Sequence, residues 1–210
     1  GYGTKAGFAP FHTWLPDAHS QAPSPVSALL SGATLAVALY ALARFHLVAM
    51  GALGPDLSSG LLVAFGLLSL AVAVPFLIAQ GDLKRLLAYS SIEHMGIAAL
   101  ALGFGGPVAL AGLALHLFAH GLTKSSLFLA AGGLVEAGRS RRIARLGGGL
   151  AASPADGRAF LAGSLILSGM PPSALFVSEI AIIVGGFGRG WGVAAGLAAV
   201  LLASAVAGFL

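Results

Sequence analysis

The sequence predicts an all-α fold: a polytopic transmembrane helical bundle with two discontinuous helices. Three observations carry this. Of the 210 residues, 58% are hydrophobic and only 9% are charged, whereas a soluble domain carries about 25% charged residues. Apolar runs of roughly 20 residues, the length a helix needs to cross a bilayer, recur along the chain. Prolines interrupt two of these runs, near Pro10 and at Pro171 and Pro172.

The segments follow in order. Residues 1–17 read as a helix broken near Pro10. Spans are expected at about 24–49, 58–80, 83–104 and 107–135. Residues 158–187 form a segment interrupted at Pro171 and Pro172, and residues 191–210 form the last. The 31 glycines do not argue for loops, because small residues let membrane helices approach closely. The chain starts at Gly1 and stops inside an apolar run at Leu210, so it reads as a fragment of a longer protein.

The charges give an orientation. Lys84 and Arg85 lie between the third and fourth segments, and Arg139, Arg141, Arg142, Arg145 and Arg158 between the fifth and sixth. The loops expected on the opposite side, "MGALGPDLSSG" and "GFGGP", hold no Lys or Arg, and "GFGRGW" holds only Arg189. The positive-inside rule makes the basic side cytoplasmic. The net charge of +4 therefore reports topology, not nucleic-acid binding; the partner that composition implies is the lipid bilayer. With no cysteine, disulfides, thiolate catalysis and Cys metal sites are excluded. No G-x-S-x-G elbow and no phosphate-binding loop occur.

Ionisable groups within the spans are the candidate functional residues, since each costs at least about 2.5–3.5 kcal/mol to place at the bilayer centre. In "HLFAHGLTK", His116, His120 and Lys124 follow one another at intervals of four. At 3.6 residues per turn they share one helix face, about 6 Å apart along the axis. Histidine changes charge near neutral pH and a lysine held out of water can exchange its proton. The row is therefore suited to pass protons, with a water or a swinging side chain closing each gap. A zinc site is the weaker reading: two His at this spacing can bind the ion, but no third ligand sits nearby and lysine does not suit the site. Lys5 precedes Pro10 and Glu179 follows Pro171 and Pro172, and helix breaks admit water and lower the cost of a nearby charge. Glu93 and His94 lie about 15 Å into the fourth span and point in different directions, so one of them is expected to face the row. Asp17 and His19, in "FHTWLPDAHSQAP", suit a cytoplasmic inlet or a solvated loop. No metal ligand set and no cofactor-binding motif stands out.

Taken together, "TKAGFAPFHTWLPDAHSQAPSPVSALLSG", "DLKRLLAYSSIEHMG", "HLFAHGLTKSSLF" and "GMPPSALFVSE" resemble the proton-conducting antiporter-like membrane subunits. These occur in respiratory complex I (NADH–quinone oxidoreductase), Mrp-type cation/proton antiporters and group 4 hydrogenases. "YSSIEHMG" with "TKAGFAPFH" is most similar to the hydrogenase-4 component F branch. The resemblance covers nearly the whole chain and implies an inverted-repeat fold. Residues 1–49 would be the end of the first repeat, a broken helix plus one span. Residues 58–210 would be most of the second, five segments with one broken at Pro171–Pro172. It implies a proton relay of Lys5, His116, His120, Lys124 and Glu179. It departs at Ala36, where many complex I relatives carry a lysine, so the link from Lys5 needs water or another residue. The implied function is a proton-translocating, non-catalytic subunit of a redox-driven complex in a bacterial or archaeal inner membrane. Its partners would be other membrane subunits and a peripheral redox arm, which would hold the redox cofactors. A subunit of an Mrp-type Na+/H+ antiporter without a redox partner is the alternative.

Overall fold

The computed structural model describes residues 1–146 and 153–208. Among them run ten α-helices: α1 Tyr2–Ala6, α2 Trp14–Gln21, α3 Ser24–Leu29, α4 Leu35–Leu53, α5 Pro55–Ala79, α6 Leu83–Phe104, α7 Gly106–Gly138, α8 Pro154–Leu167, α9 Ala174–Gly188 and α10 Gly192–Val206. A π-helical turn, Leu30–Thr34, joins α3 to α4, so Ser24–Leu53 is one continuous span. A 3-10 turn, Ile143–Arg145, lies in the basic loop after α7. The expected end of the last segment, residues 209–210, lies outside the described residues.

Both expected breaks are present. The first separates α1 from α2 across residues 7–13, where Gly7 takes φ +81°, a backbone conformation that favours glycine. The second separates α8 from α9, with Gly169 at φ +66° and the Ser173 hydroxyl capping α9 by accepting from the Phe176 N–H at 3.1 Å. Pro75 does not break α5.

The bundle is built around α6. Nearly every residue of that helix is buried, against α2, α5, α7 and α9. An all-round buried helix needs no polar face, and α6 carries mainly small and apolar residues except where it meets its neighbours' polar groups. Its contact with α5 rests on paired glycines: a Cβ on Gly66 would lie 2.8 Å from the Gly96 carbonyl oxygen, and one on Gly96 2.9 Å from that of Gly66. Backbones this close are how membrane helices gain packing energy where lipid supplies no hydrophobic drive between them.

Helix α7 is inverted relative to a soluble amphipathic helix. Its buried stripe holds His116, His120, Thr123 and Lys124, while Phe118 is 70% exposed and Leu122 60%. Polar groups inside and large apolar side chains outside fit a lipid solvent.

The loops gather as the alternating spans require. The Leu83 N–H donates to the Arg141 carbonyl at 3.0 Å, and the Ile143 N–H to that of Gly81 at 3.0 Å. Arg85 pairs with Asp17, Arg141 donates to Gln21 Oε1 at 3.2 Å, and Lys84 to the Ala22 carbonyl at 2.6 Å. The C-terminal end of α2 and both basic loops thus share one face. At the other, the turns after α4, α6 and α9 surround a cavity of about 690 Å³ that includes Asp56, Gly105 and Arg189.

Candidate functional site

The buried polar groups of α6, α7 and α9 converge. His116 and His120, one turn apart on α7, present parallel rings with centroids 6.3 Å apart and planes inclined by 7°. Parallel rings at that distance do not hydrogen-bond each other. His94 of α6 stands against both, 5.1 Å from each centroid, and its Nδ1 lies 3.2 Å from His116 Nε2. The gap along α7 is therefore bridged by a third histidine from the neighbouring helix, where the sequence suggested a water or a swinging side chain.

The far side of His116 is fixed by α9. Ser178 Oγ donates to the Leu175 carbonyl at 2.7 Å and lies 2.9 Å from His116 Nδ1. The two atoms are hydrogen-bonded, His116 Nδ1 donating in one tautomer and accepting in the other. Next to Ser178, Glu179 brings Oε1 to 4.0 Å from His94 Nδ1. Glu179 is accommodated because Gly169 has no side chain; a Cβ there would sit 2.6 Å from Glu179 Oε2.

Lys124 closes the other end of the row. Its Nζ donates to the Leu87 carbonyl at 2.6 Å and to Ser90 Oγ. The Lys124 side chain is wholly buried, and Glu93 on α6 is buried too. Glu93 and His94 are thus both turned into the cluster, not one of them alone. Adjacent residues can do this because α6 is enclosed on nearly all sides. Further toward α3, Ser91 Oγ and Ser31 Oγ lie 2.8 Å apart, and the π-turn packs on α7 where a Cβ on Gly32 would meet the Gly121 carbonyl at 2.9 Å.

The remaining candidates fall elsewhere. Asp17 is exposed and paired with Arg85. His19, two residues on, is fully buried, its ring 5.4 Å from that of Phe128 and neither nitrogen hydrogen-bonded. Lys5 is exposed on α1, and no close contact links it to the cluster among the described residues. The sequence showed no third donor beside the α7 histidines, and the fold brings one group of possible donors together there. His94, His116 and Glu179 offer donor atoms within 4.8 Å of one another, contributed by helices far apart in sequence. The structure also adds Ser90 and Ser178. Their signal was modest: hydroxyls in otherwise apolar spans, one of them directly before Glu179.

Over residues 1–205 the sequence matches the family described as NADH:quinone oxidoreductase/Mrp antiporter, transmembrane. The chain belongs to that family. It is an integral membrane protein with the family's helical fold. A hydrogenase-4 component F homolog of Methylacidiphilum infernorum is 46% identical over 191 residues, 90% of this chain and 40% of that relative. Among solved structures, respiratory complex I from Thermus thermophilus contains a chain that superposes with TM-score 0.88 at 30% identity, covering 99% of this chain and 44% of its own length. A chain of the Mrp complex from Dietzia sp. DQ12-45-1b gives TM-score 0.89 at 26% identity, covering 99% and 39%. The chain thus spans about two fifths of the length of the relatives it matches. The antiporter-like fold of the family is what brings α6, the straight α7 and the broken α8–α9 pair into contact, and the cluster sits at that contact.

Proposed function

We propose that the chain is part of a proton-translocating membrane subunit of a redox-driven complex of the hydrogenase-4 or NADH–quinone oxidoreductase type. The observation that carries this is the His94 bridge: it turns separate ionisable groups on three helices into a nearly continuous buried path. Protons would reach His19 past Asp17 from the cytoplasmic side and pass to Lys124. From there the path runs through His120, His94 and His116 to Glu179, with Glu93 balancing the lysine charge. Each of these groups can take up and release a proton, and helix-anchored positions keep the transfers short. Lys5 would belong to the end of the first repeat, residues 1–49, and feed the row through water and the Ser31–Ser91 hydroxyls, in place of a lysine at Ala36. Residues 58–210 would be most of the second repeat.

In this reading the chain binds no redox cofactor. A peripheral arm would hold the cofactors, and neighbouring membrane subunits would relay its electrostatic changes. The home would be the inner membrane of a bacterium or archaeon with the basic loops cytoplasmic. The likeness to the Mrp chain favours one other reading, Na+/H+ exchange without an electron donor. Proton uptake by inverted membrane vesicles carrying the complete complex tests both. Donor-driven uptake that is lost in Glu179→Ala, with electron transfer to an artificial acceptor retained, is the expected result. Uptake that instead needs a sodium gradient and no donor would move the assignment to the antiporters.

A further inference from the structure

We infer that His94, His116 and Glu179 form a binding site for one divalent first-row transition ion of the Zn²⁺ class. The first support is the state of the His116 ring. Ser178 Oγ lies 2.7 Å from the Leu175 carbonyl and 2.9 Å from His116 Nδ1. With the His116 proton on Nδ1, the hydroxyl donates to the carbonyl and accepts from the ring, and both contacts are satisfied. In that tautomer Nε2 presents a bare lone pair to the cluster. A histidine whose second nitrogen is anchored in this way is the usual form of a metal ligand, since the anchor fixes both tautomer and ring orientation.

The second support is spacing. Two ligands bound tetrahedrally at about 2.0–2.1 Å from zinc lie about 3.3 Å apart. His94 Nδ1 and His116 Nε2 are 3.2 Å apart, a hydrogen-bond distance that is also the separation of two ligands in a filled site. Binding the ion replaces that hydrogen, and the His94 proton then sits on Nε2, which has no other partner among the described residues. Glu179 Oε1 lies 4.0 Å from His94 Nδ1, and all three donor atoms lie within 4.8 Å of one another, so the carboxylate closes on the ion by a side-chain movement of about 1 Å. Two imidazoles and one carboxylate leave a fourth position for water, the pattern of three-ligand zinc sites. The donor set disfavours Mg²⁺ and Ca²⁺, which take oxygen ligands. The sequence pair His116 and His120 is not the chelating pair: its rings are parallel and 6.3 Å apart.

The inference needs only lone pairs and distances, so it stands independently of the proton reading. The test uses the full-length subunit, stripped of metal by chelation and titrated with Zn²⁺ against a chromophoric chelator. The bound ion's ligands are read by X-ray absorption. Wild type is expected to bind one Zn²⁺ through two imidazole nitrogens and a carboxylate oxygen. Ser178→Ala, which removes only the anchor, should weaken binding about 10- to 100-fold, and Ser178→Thr should restore it. His94→Asn and Glu179→Gln should weaken it at least about tenfold, while His46→Asn, in α4, should not change it. Lys124→Met, which removes no donor, should keep or gain affinity. Helical circular dichroism and the thermal midpoint identify any variant that fails to fold. Absence of a histidine-ligated ion in wild type, or equal affinity in folded Ser178→Ala and His94→Asn, would overturn the site; so would Mg²⁺ binding as tight as Zn²⁺.

Discussion

Lys124→Met separates function from stability at the most buried charge of the cluster. The Lys124 ammonium is held by the Leu87 carbonyl at 2.6 Å and by Ser90 Oγ. Removing it does not orphan that carbonyl, because the Ser90 and Ser91 hydroxyls also donate to it, each at 3.0 Å. Methionine has a similar volume and no charge to desolvate, and the Glu93 carboxyl group it leaves unbalanced stays buried as the neutral acid instead of as an uncompensated charge. The thermal midpoint in detergent is therefore expected to hold or rise. Transport behaves oppositely. Without the ammonium, the proton must occupy a site with no prepared partners, at a cost of at least about 2.5–3.5 kcal/mol at the bilayer centre. At about 1.36 kcal/mol per factor of ten, that is roughly a 10²-fold slower transfer. The assay is proton uptake by inverted vesicles carrying the complete complex, with electron transfer measured separately. Uptake within twofold of wild type, in a variant that is stably folded, would refute the relay through Lys124. A sharp loss of stability would instead refute the claim that no acceptor is orphaned.

Three further outcomes are expected. His94→Asn should slow proton uptake at least about tenfold, the equivalent of one lost contact of some 1.4 kcal/mol, because no other group bridges His116 and His120; uptake in the vesicle assay reads it, and His46→Asn serves as the comparison. Gly66→Val should destabilise by about 1–3 kcal/mol or more, since its Cβ would lie 2.8 Å from the Gly96 carbonyl oxygen and backbone cannot yield as a side chain can; a lower thermal midpoint checks this. Because the chain has no cysteine, single substitutions report sidedness cleanly: Arg142→Cys should react with an impermeant maleimide only from the cytoplasmic face and Asp56→Cys only from the other.

The spans and their breaks were legible because they depend on local quantities. Run length against bilayer thickness placed α4 to α7 to within a few residues, and the proline and glycine punctuation placed the gaps before α2 and α9. The row His116, His120 and Lys124 was legible for the same reason, since helical periodicity alone puts the three on one face. The role of His94 was not. Its neighbour Glu93 differs by about 100° around α6, and only the near-complete enclosure of that helix turns both inward. Nor was Ser178 legible, because a hydroxyl declares its role only when its donor and acceptor partners are known.

The sequence by itself determined that the chain lies in a membrane, where its helices start and stop, and which ionisable groups are too costly to be there without use. Burial in lipid penalises each such group individually, so the penalty can be read one residue at a time. Only the tertiary structure decided which of those groups meet. A contact between His94, His116 and Glu179 depends on how α6, α7 and α9 cross, and the crossing is set by glycine-to-backbone packing and helix breaks acting together, not by the spacing within any one helix.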